Sequence, residues 1–107
     1  MKHLISSLLL FFLSALILSS SEPSRTIRIL VITGGHGFNN EEFNNMLSDM
    51  APEISYQVAE LPGAFNMFIP ENRDKFDVLV FYHMWQTITD DQARNFADCI
   101  SEGKPVV

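Results

Sequence analysis

Two continuous apolar runs and one alternating run organise the chain after its first two dozen residues. Residues 26–38 read T-I-R-I-L-V-I-T-G-G-H-G-F, a β-branched run that stops abruptly at glycine, and residues 77–82 read D-V-L-V-F-Y. Residues 54–60 alternate instead, with Ile54, Tyr56 and Val58 on one side. Continuous runs of this kind are typical of parallel strands buried on both faces, and alternation also indicates a strand. The pattern therefore predicts three strands.

Helical spacing and capping residues predict two helices. Asn39 or Asn40 suits the N-cap of the first, which ends before Pro52 and has an apolar face formed by Phe43, Met46, Leu47 and Met50. Thr89 and Gln92 form a capping-box pattern for the second helix, and Gly103 stands where a C-cap glycine belongs. The apolar face of this second helix is expected to comprise Ala93, Phe96, Ala97 and Ile100.

The order of these elements predicts an α/β fold, in which a doubly wound parallel sheet has helices on both sides. Residues 64–69 are apolar but irregular, one helical turn is expected over residues 70–76, and residues 104–107 read as the start of a further strand. With right-handed crossovers, the first and third strands should be neighbours. Ligands of such sheets bind outside the carboxyl ends of the strands, so residues 34–38 and 83–87 are expected to meet at one rim.

The first 21 residues have the layout of a secretory signal peptide. Lys2 and His3 precede an apolar run over residues 4–18, and three serines follow at 19–21. The run is short for a bilayer span, which takes about 20 apolar residues. We expect cleavage near Ser21 and a secreted or periplasmic protein that is not held at a membrane afterwards, with an uncleaved anchor as the alternative. Residues 22–107 then form one domain that is short for an α/β fold, so we expect it to be truncated at its carboxyl end and marginal in stability on its own.

The charge balance argues against nucleic acid as a partner. The formal net charge is −6, and no basic stripe occurs, whereas phosphate binding needs clustered Lys and Arg. Cys99 is the only cysteine, so the chain has no disulfide framework.

Three motifs, in the same order along the chain, resemble the trehalose-utilisation, or ThuA-like, family. They are T-G-G-H-G-F-N at residues 33–39, D-V-L-V-F-Y-H-M-W-Q-T-I-T at residues 77–89 and G-K-P-V-V at residues 103–107. The resemblance implies a fold similar to the class I glutamine amidotransferases, a three-layer flavodoxin-like sheet of which this chain would hold the amino-terminal half. It also implies a link to carbohydrate metabolism, especially of disaccharides. Two departures are that members often carry Asp at the position of His83, and that the family's histidine pair would follow Val107.

Two histidines at the predicted rim are the candidates for catalysis. His36 lies in the glycine-rich turn and matches the family motif, and its imidazole suits either a metal ligand or an acid/base group. The alternative is a turn histidine that orders the loop. His83 is the natural partner if the two loops meet, but a zinc site needs three or four ligands and only two are present. The metal is therefore unknown. No cofactor is evident, because the glycines match neither the dinucleotide nor the phosphate-loop pattern, and a divalent metal is left open.

The substrate-binding candidates are Gly34, Gly35 and Phe38 in the first loop and Trp85 in the second. Trp85 offers a face on which a sugar ring can stack, and equally it could cover the top of the sheet next to Phe38. Cys99 lies near a helix end and is expected to be a packing residue, not an amidotransferase-type nucleophile.

The leading hypothesis is an exported ThuA-like domain that binds or acts on a small-molecule sugar at this rim. One alternative is a non-catalytic module that recognises a carbohydrate or a neighbouring domain. Another is an amidotransferase-like hydrolase whose nucleophile lies beyond residue 107. Enzymatic activity and oligomeric state are left open.

Overall fold

Three parallel strands form one sheet in the order β2-β1-β3. The computed structural model describes residues 24–107, so the predicted signal peptide lies outside the described residues. Strand β1 spans Ile27–Gly34, β2 spans Ile54–Glu60 and β3 spans Val78–His83. Residues 105–107 begin a further parallel strand beside β3, because the Leu79 N–H donates to the Pro105 carbonyl (3.0 Å) and the Val107 N–H donates to the Leu79 carbonyl (2.8 Å). The predicted α/β class and the adjacency of β1 and β3 are confirmed.

Helix α1 (Asn40–Ser48) covers one face of the sheet. It begins as expected, because the Asn39 side chain caps it by accepting a hydrogen bond from the Glu42 N–H. Leu47 is buried against Ile29 and Val31 of β1. The half-buried residues around this small core are Phe43, Met50, Ile54, Tyr56, Val78 and Val80.

Two 3₁₀ helices and helix α2 (Asp90–Ser101) cover the other face. The first 3₁₀ helix spans Gly63–Phe68 and the second spans Pro70–Lys75, so a segment predicted as irregular with one turn is in fact two short helices. Proline at the first position of the second helix suits it, since the missing N–H there has no intrahelical partner. The larger core lies under these elements and comprises Leu30, Ile32, Ala64, Phe68, Phe76, Leu79 and Cys99.

The capping of α2 is as predicted, but its buried face is rotated. Thr89 and Gln92 form both hydrogen bonds of the capping box, and the helix is followed by Gly103 at a φ of +93°. The expected face included Ala97 and Ile100, which are exposed. Cys99 instead faces the core, and the half-buried residues Phe96 and Ala93 lie about one and two turns earlier. The predicted apolar face is thus confirmed for Ala93 and Phe96 and wrong for Ala97 and Ile100, because the face is centred nearer to Cys99.

Strand β3 is less buried than its continuous apolar sequence predicts. Leu79 is fully buried on the α2 side, whereas Val78 and Val80 are half-buried on the α1 side, and Tyr82 and His83 are exposed. The core under α1 fully buries residues of β1, whereas Val78 and Val80 of β3 lie at its margin. No helix within residues 24–107 is long and apolar enough to cross a membrane.

The amino-terminal end of the sheet is fixed by an ion cluster that the sequence did not reveal. The Asp77 carboxylate accepts hydrogen bonds from the Arg28 backbone N–H (2.8 Å), from the Arg28 guanidinium (3.0 and 3.2 Å) and from Arg25 (2.8 Å). These bonds, above all those from the Arg28 side chain, hold the pKa of Asp77 well below its ordinary value. The cluster lies at the opposite end of the sheet from the predicted site.

Candidate functional site

The two loops predicted to meet do so at the carboxyl ends of β1 and β3. The Met84 N–H donates to the Gly34 carbonyl at 3.0 Å, which extends the β1 to β3 pairing into the loops. Gly35 has a φ of +79°, and a Cβ there would lie only 2.6 Å from Nε2 of Gln86. A side chain at this position would therefore need both an unfavourable backbone conformation and a displaced neighbour. The glycine allows the second loop to lie directly on the first.

His36 lies on the α1 side of the rim, inside an aromatic cluster. Its ring meets the Tyr82 ring edge-on at 4.8 Å between centroids and lies 5.8 Å from the Phe38 ring. Tyr82 also stacks on Phe43 of α1, at 5.1 Å. Nδ1 of His36 donates to the carbonyl of Gly37 at 3.3 Å, so Nε2 is the ring nitrogen left for another partner. The ring is thus half-buried and oriented, with one nitrogen available.

His83 lies on the opposite face of the sheet. Its ring packs on the ring of Phe81, at 5.2 Å between centroids, and Phe81 is partly buried against the larger core under α2. His36 packs instead on Tyr82, and adjacent residues of a strand point to opposite faces. The expected pairing of His36 with His83 in one site is therefore not what the structure shows. Within residues 24–107, no group of three or more His, Cys, Asp or Glu side chains is arranged to hold a metal ion.

An apolar cavity of about 380 Å³ opens beside His83, on the α2 side of the rim. Its lining comes from the segment after β2, the first 3₁₀ helix, β3, α2 and Val106, and the exposed residues Trp85 and Ile88 of the loop after β3 form its mouth. The lining residues are Leu61, Phe65, Phe68, Phe81, His83, Trp85, Gln86, Ile88, Phe96 and Val106. Its volume lies in the range of pockets that bind small molecules.

Trp85 stands at the mouth of this cavity with 81% of its surface exposed. The alternative that it covers the sheet next to Phe38 is wrong, because Phe38 packs with His36, Phe43 and Tyr82 on the other face. An indole this exposed contributes little to the core and presents a flat apolar face to a ligand.

A smaller, polar cavity of about 180 Å³ opens on the α1 side of the same rim. It contains three of the predicted residues, Gly34, His36 and Phe38. It also contains Gly37 of the same predicted loop and three residues outside the two predicted loops, namely Thr33, Asn40 and Glu60. Glu60 ends β2 and Thr33 precedes the glycines of β1, so their position at strand carboxyl ends was the signal that could have found them.

Cys99 is fully buried in the larger core, which agrees with the predicted packing role. Burial raises the pKa of its thiol, which disfavours the thiolate that a nucleophile requires.

The candidate site is thus the rim of a small parallel α/β sheet, at the point where the chain passes from one side of β1 to the other. An apolar cavity lies on one face of the rim and a polar cavity on the other. Comparisons with known protein families, with curated proteins and with solved structures find no match for this chain.

Proposed function

We propose that the chain is an exported domain of the ThuA-like, class I glutamine amidotransferase-like kind, which binds a small carbohydrate of the disaccharide class at this rim. The sheet order supports the fold assignment. Strands β2, β1 and β3, followed by residues 105–107 beside β3, are arranged as in the first four strands of a flavodoxin-like sheet.

The observation that carries the carbohydrate assignment is the exposed face of Trp85 at the mouth of the apolar cavity. One face of a pyranose ring is made largely of C–H groups, and it packs on an indole by the same apolar contacts that stabilise aromatic residues in a core. A sugar also needs hydrogen-bond partners for its hydroxyls. His83 and Gln86 supply these at the cavity mouth, on either side of Trp85 in sequence.

The polar groups are few but well placed. Gln86 is half-buried and lies over Gly35, so its amide is held near the cavity and not free in solvent. Because the lining is otherwise apolar, an unpaired ligand hydroxyl inside it would be costly, and the amide and imidazole therefore select for polar groups at the mouth. The catalytic roles predicted for His36 and His83 stay predictions.

The single tryptophan makes the test direct, because intrinsic indole fluorescence reports on Trp85 alone. Trehalose, maltose and cellobiose would be titrated into the chain while the emission is followed, and calorimetry would give the affinity independently. A saturable spectral shift with one of them is expected. Gln86→Ala should weaken binding about fivefold through the loss of one neutral hydrogen bond.

Gln57→Ala is the matched control. Gln57 is an exposed glutamine in the middle of β2 and lines neither cavity, so its removal should leave the affinity unchanged. The proposal would be refuted if no disaccharide changed the Trp85 emission or released heat. It would also be refuted if both glutamine variants bound as the unmodified chain does and Trp85→Ala bound equally well by calorimetry.

A further inference from the structure

Three chemistry-bearing side chains form a row across the sheet on its α1 side. Thr33 of β1 pairs in register with Glu60 of β2 and with Tyr82 of β3. Thr33 is two residues after Val31 and Glu60 is four residues after Tyr56, so each lies on the same face of its strand as a residue that packs under α1. All three side chains therefore project from the same face of the sheet, at the same level along the strands. Neighbouring strands, and so neighbouring members of the row, are about 4.8 Å apart.

Thr33 and Glu60 of this row line the polar cavity together with the loop after β1, whereas Tyr82 packs against His36. His36, oriented by Tyr82 and Gly37, lies over one side, and Asn40 at the first position of α1 lies over another. The lining therefore combines a carboxylate, a hydroxyl, an amide and an imidazole within about 180 Å³. This mixture differs from the apolar cavity on the other face, where aromatic residues predominate.

The charges around the polar cavity favour a neutral ligand. An anion would meet the Glu60 carboxylate. A metal cation would find only that one carboxylate, whereas calcium requires six to eight oxygen ligands. It would also face the amino-terminal end of α1, where the helix dipole is positive. A neutral group that both donates and accepts hydrogen bonds satisfies the lining, and a hydroxyl has this property.

We propose that the polar cavity is a second subsite of the carbohydrate site and binds a pair of vicinal hydroxyls, with Glu60 as their principal acceptor. Two adjacent O–H groups can donate to the two oxygens of one carboxylate, and Thr33 and Asn40 then serve the same hydroxyls as further partners. The inference rests on the proposed carbohydrate function. The cavity is smaller than a typical complete ligand pocket, which suits a subsite that receives one edge of a ring.

The proposal is tested with two glycosides that differ in one hydroxyl and with two glutamate variants. Methyl α-D-glucopyranoside has two vicinal pairs of free hydroxyls, and both include the hydroxyl on carbon 3, so the 3-deoxy derivative has none. Calorimetry would measure both glycosides against the unmodified chain, Glu60→Gln and the control Glu53→Gln. Glu53 is an exposed glutamate that immediately precedes the first residue of β2, at the end of the strand opposite Glu60, and it lines neither cavity.

The expected result is that Glu60→Gln weakens binding of the parent glycoside about tenfold, as for the loss of a charge-assisted hydrogen bond. The 3-deoxy derivative, which can offer Glu60 one hydroxyl and no vicinal pair, should lose much less. Glu53→Gln should change neither. Backbone amide shifts on adding the parent glycoside should centre on Thr33, Gly37 and Asn40. Circular dichroism would confirm that each variant is folded.

The outcomes separate the two proposals. If the parent glycoside binds and shifts Trp85 emission, but Glu60→Gln binds equally well, the subsite is wrong and the carbohydrate function stands. An equal loss for both glycosides would also overturn it, because Glu60 would then not act through the vicinal pair. If Glu60→Gln weakens binding, but the Trp85 emission does not change and Trp85→Ala binds as the unmodified chain does, the polar subsite stands and the role of Trp85 is wrong. If the parent glycoside gives neither heat nor amide shifts while a disaccharide binds, the subsite alone is overturned. If neither the glycoside nor any of the disaccharides binds, both proposals are overturned.

Discussion

Arg73 joins three elements on the α2 side, and Arg73→Met is expected to destabilise the fold strongly. Its side chain is only 8% exposed. Nε donates to the Phe68 carbonyl at 2.7 Å, while the terminal nitrogens donate to the Glu102 carboxylate and, at 3.4 Å, to the Asn95 carbonyl. The arginine thereby connects the second 3₁₀ helix to the first 3₁₀ helix and to α2.

The contacts differ in what they contribute. The buried bond from the charged Nε to the Phe68 carbonyl is worth about 1.5–3 kcal/mol, and its loss leaves that carbonyl without a partner. The Glu102 side chain is 53% exposed, so this ion pair adds at most about 1 kcal/mol. The Asn95 contact is long and adds little. Methionine keeps part of the apolar stem, so the net loss of unfolding free energy should be about 3 kcal/mol.

Urea unfolding followed by far-ultraviolet circular dichroism would measure this loss, with Arg94→Met as the matched control. Arg94 pairs with Asp91 on the exposed face of α2, at 67% and 84% side-chain exposure. Its loss should cost less than about 0.5 kcal/mol. If the two variants lost equal stability, the energetic importance assigned to the buried guanidinium would be wrong.

Three further predictions follow from single positions. Because Arg28 holds the pKa of Asp77 low in the folded state, the ionised Asp77 contributes its full stability above the ordinary pKa of an aspartate, near pH 4, and this stability is lost as the pH falls further. The urea midpoint of the unmodified chain should therefore fall between pH 5 and pH 2, and Asp77→Asn should make that fall smaller. Gly35→Ala should cost about 1–2 kcal/mol by thermal unfolding, because of its positive φ and its contact with the facing loop, whereas Gly37→Ala, with open space around its Cβ, should cost much less. Cys99, buried and with a raised pKa, should react with a disulfide reagent only as fast as the chain opens, so urea should accelerate the reaction sharply.

The strands and their neighbours were predictable because they depend on local signals. The β-branched run of β1, its stop at glycine and the capping box at Thr89 each have one physical reading, and the first cap was narrowed to Asn39 or Asn40. The adjacency of β1 and β3 then followed from the connection rules for parallel sheets. The meeting of the two loops at one rim followed in turn, and the hydrogen bond from Met84 to Gly34 shows it.

The composition of the two cavities was not predictable, because it depends on packing between distant segments. The 3₁₀ helices give no periodic signal over their few residues, yet they supply Phe65 and Phe68 to the apolar cavity. The side on which each histidine lies depends on the exact end of β3. A prediction that ends the strand at Tyr82 leaves His83 free to turn in either direction, whereas the structure keeps it in the strand.

The alternation of side chains in β1 and β3 explains why the rim has two different chemistries. Phe81 and His83 share the face of Leu79 and lead into the apolar cavity, while Tyr82 shares the face of Val80 and lies with Thr33 and His36 on the polar side. The alternation of side chains between the two faces of the sheet, which divides the hydrophobic core into two halves, therefore also places the functional groups at the end of the sheet on different faces. Gly34 and Gly35 lie where the two faces meet, and their positive φ values bring the loop after β3 onto the loop after β1.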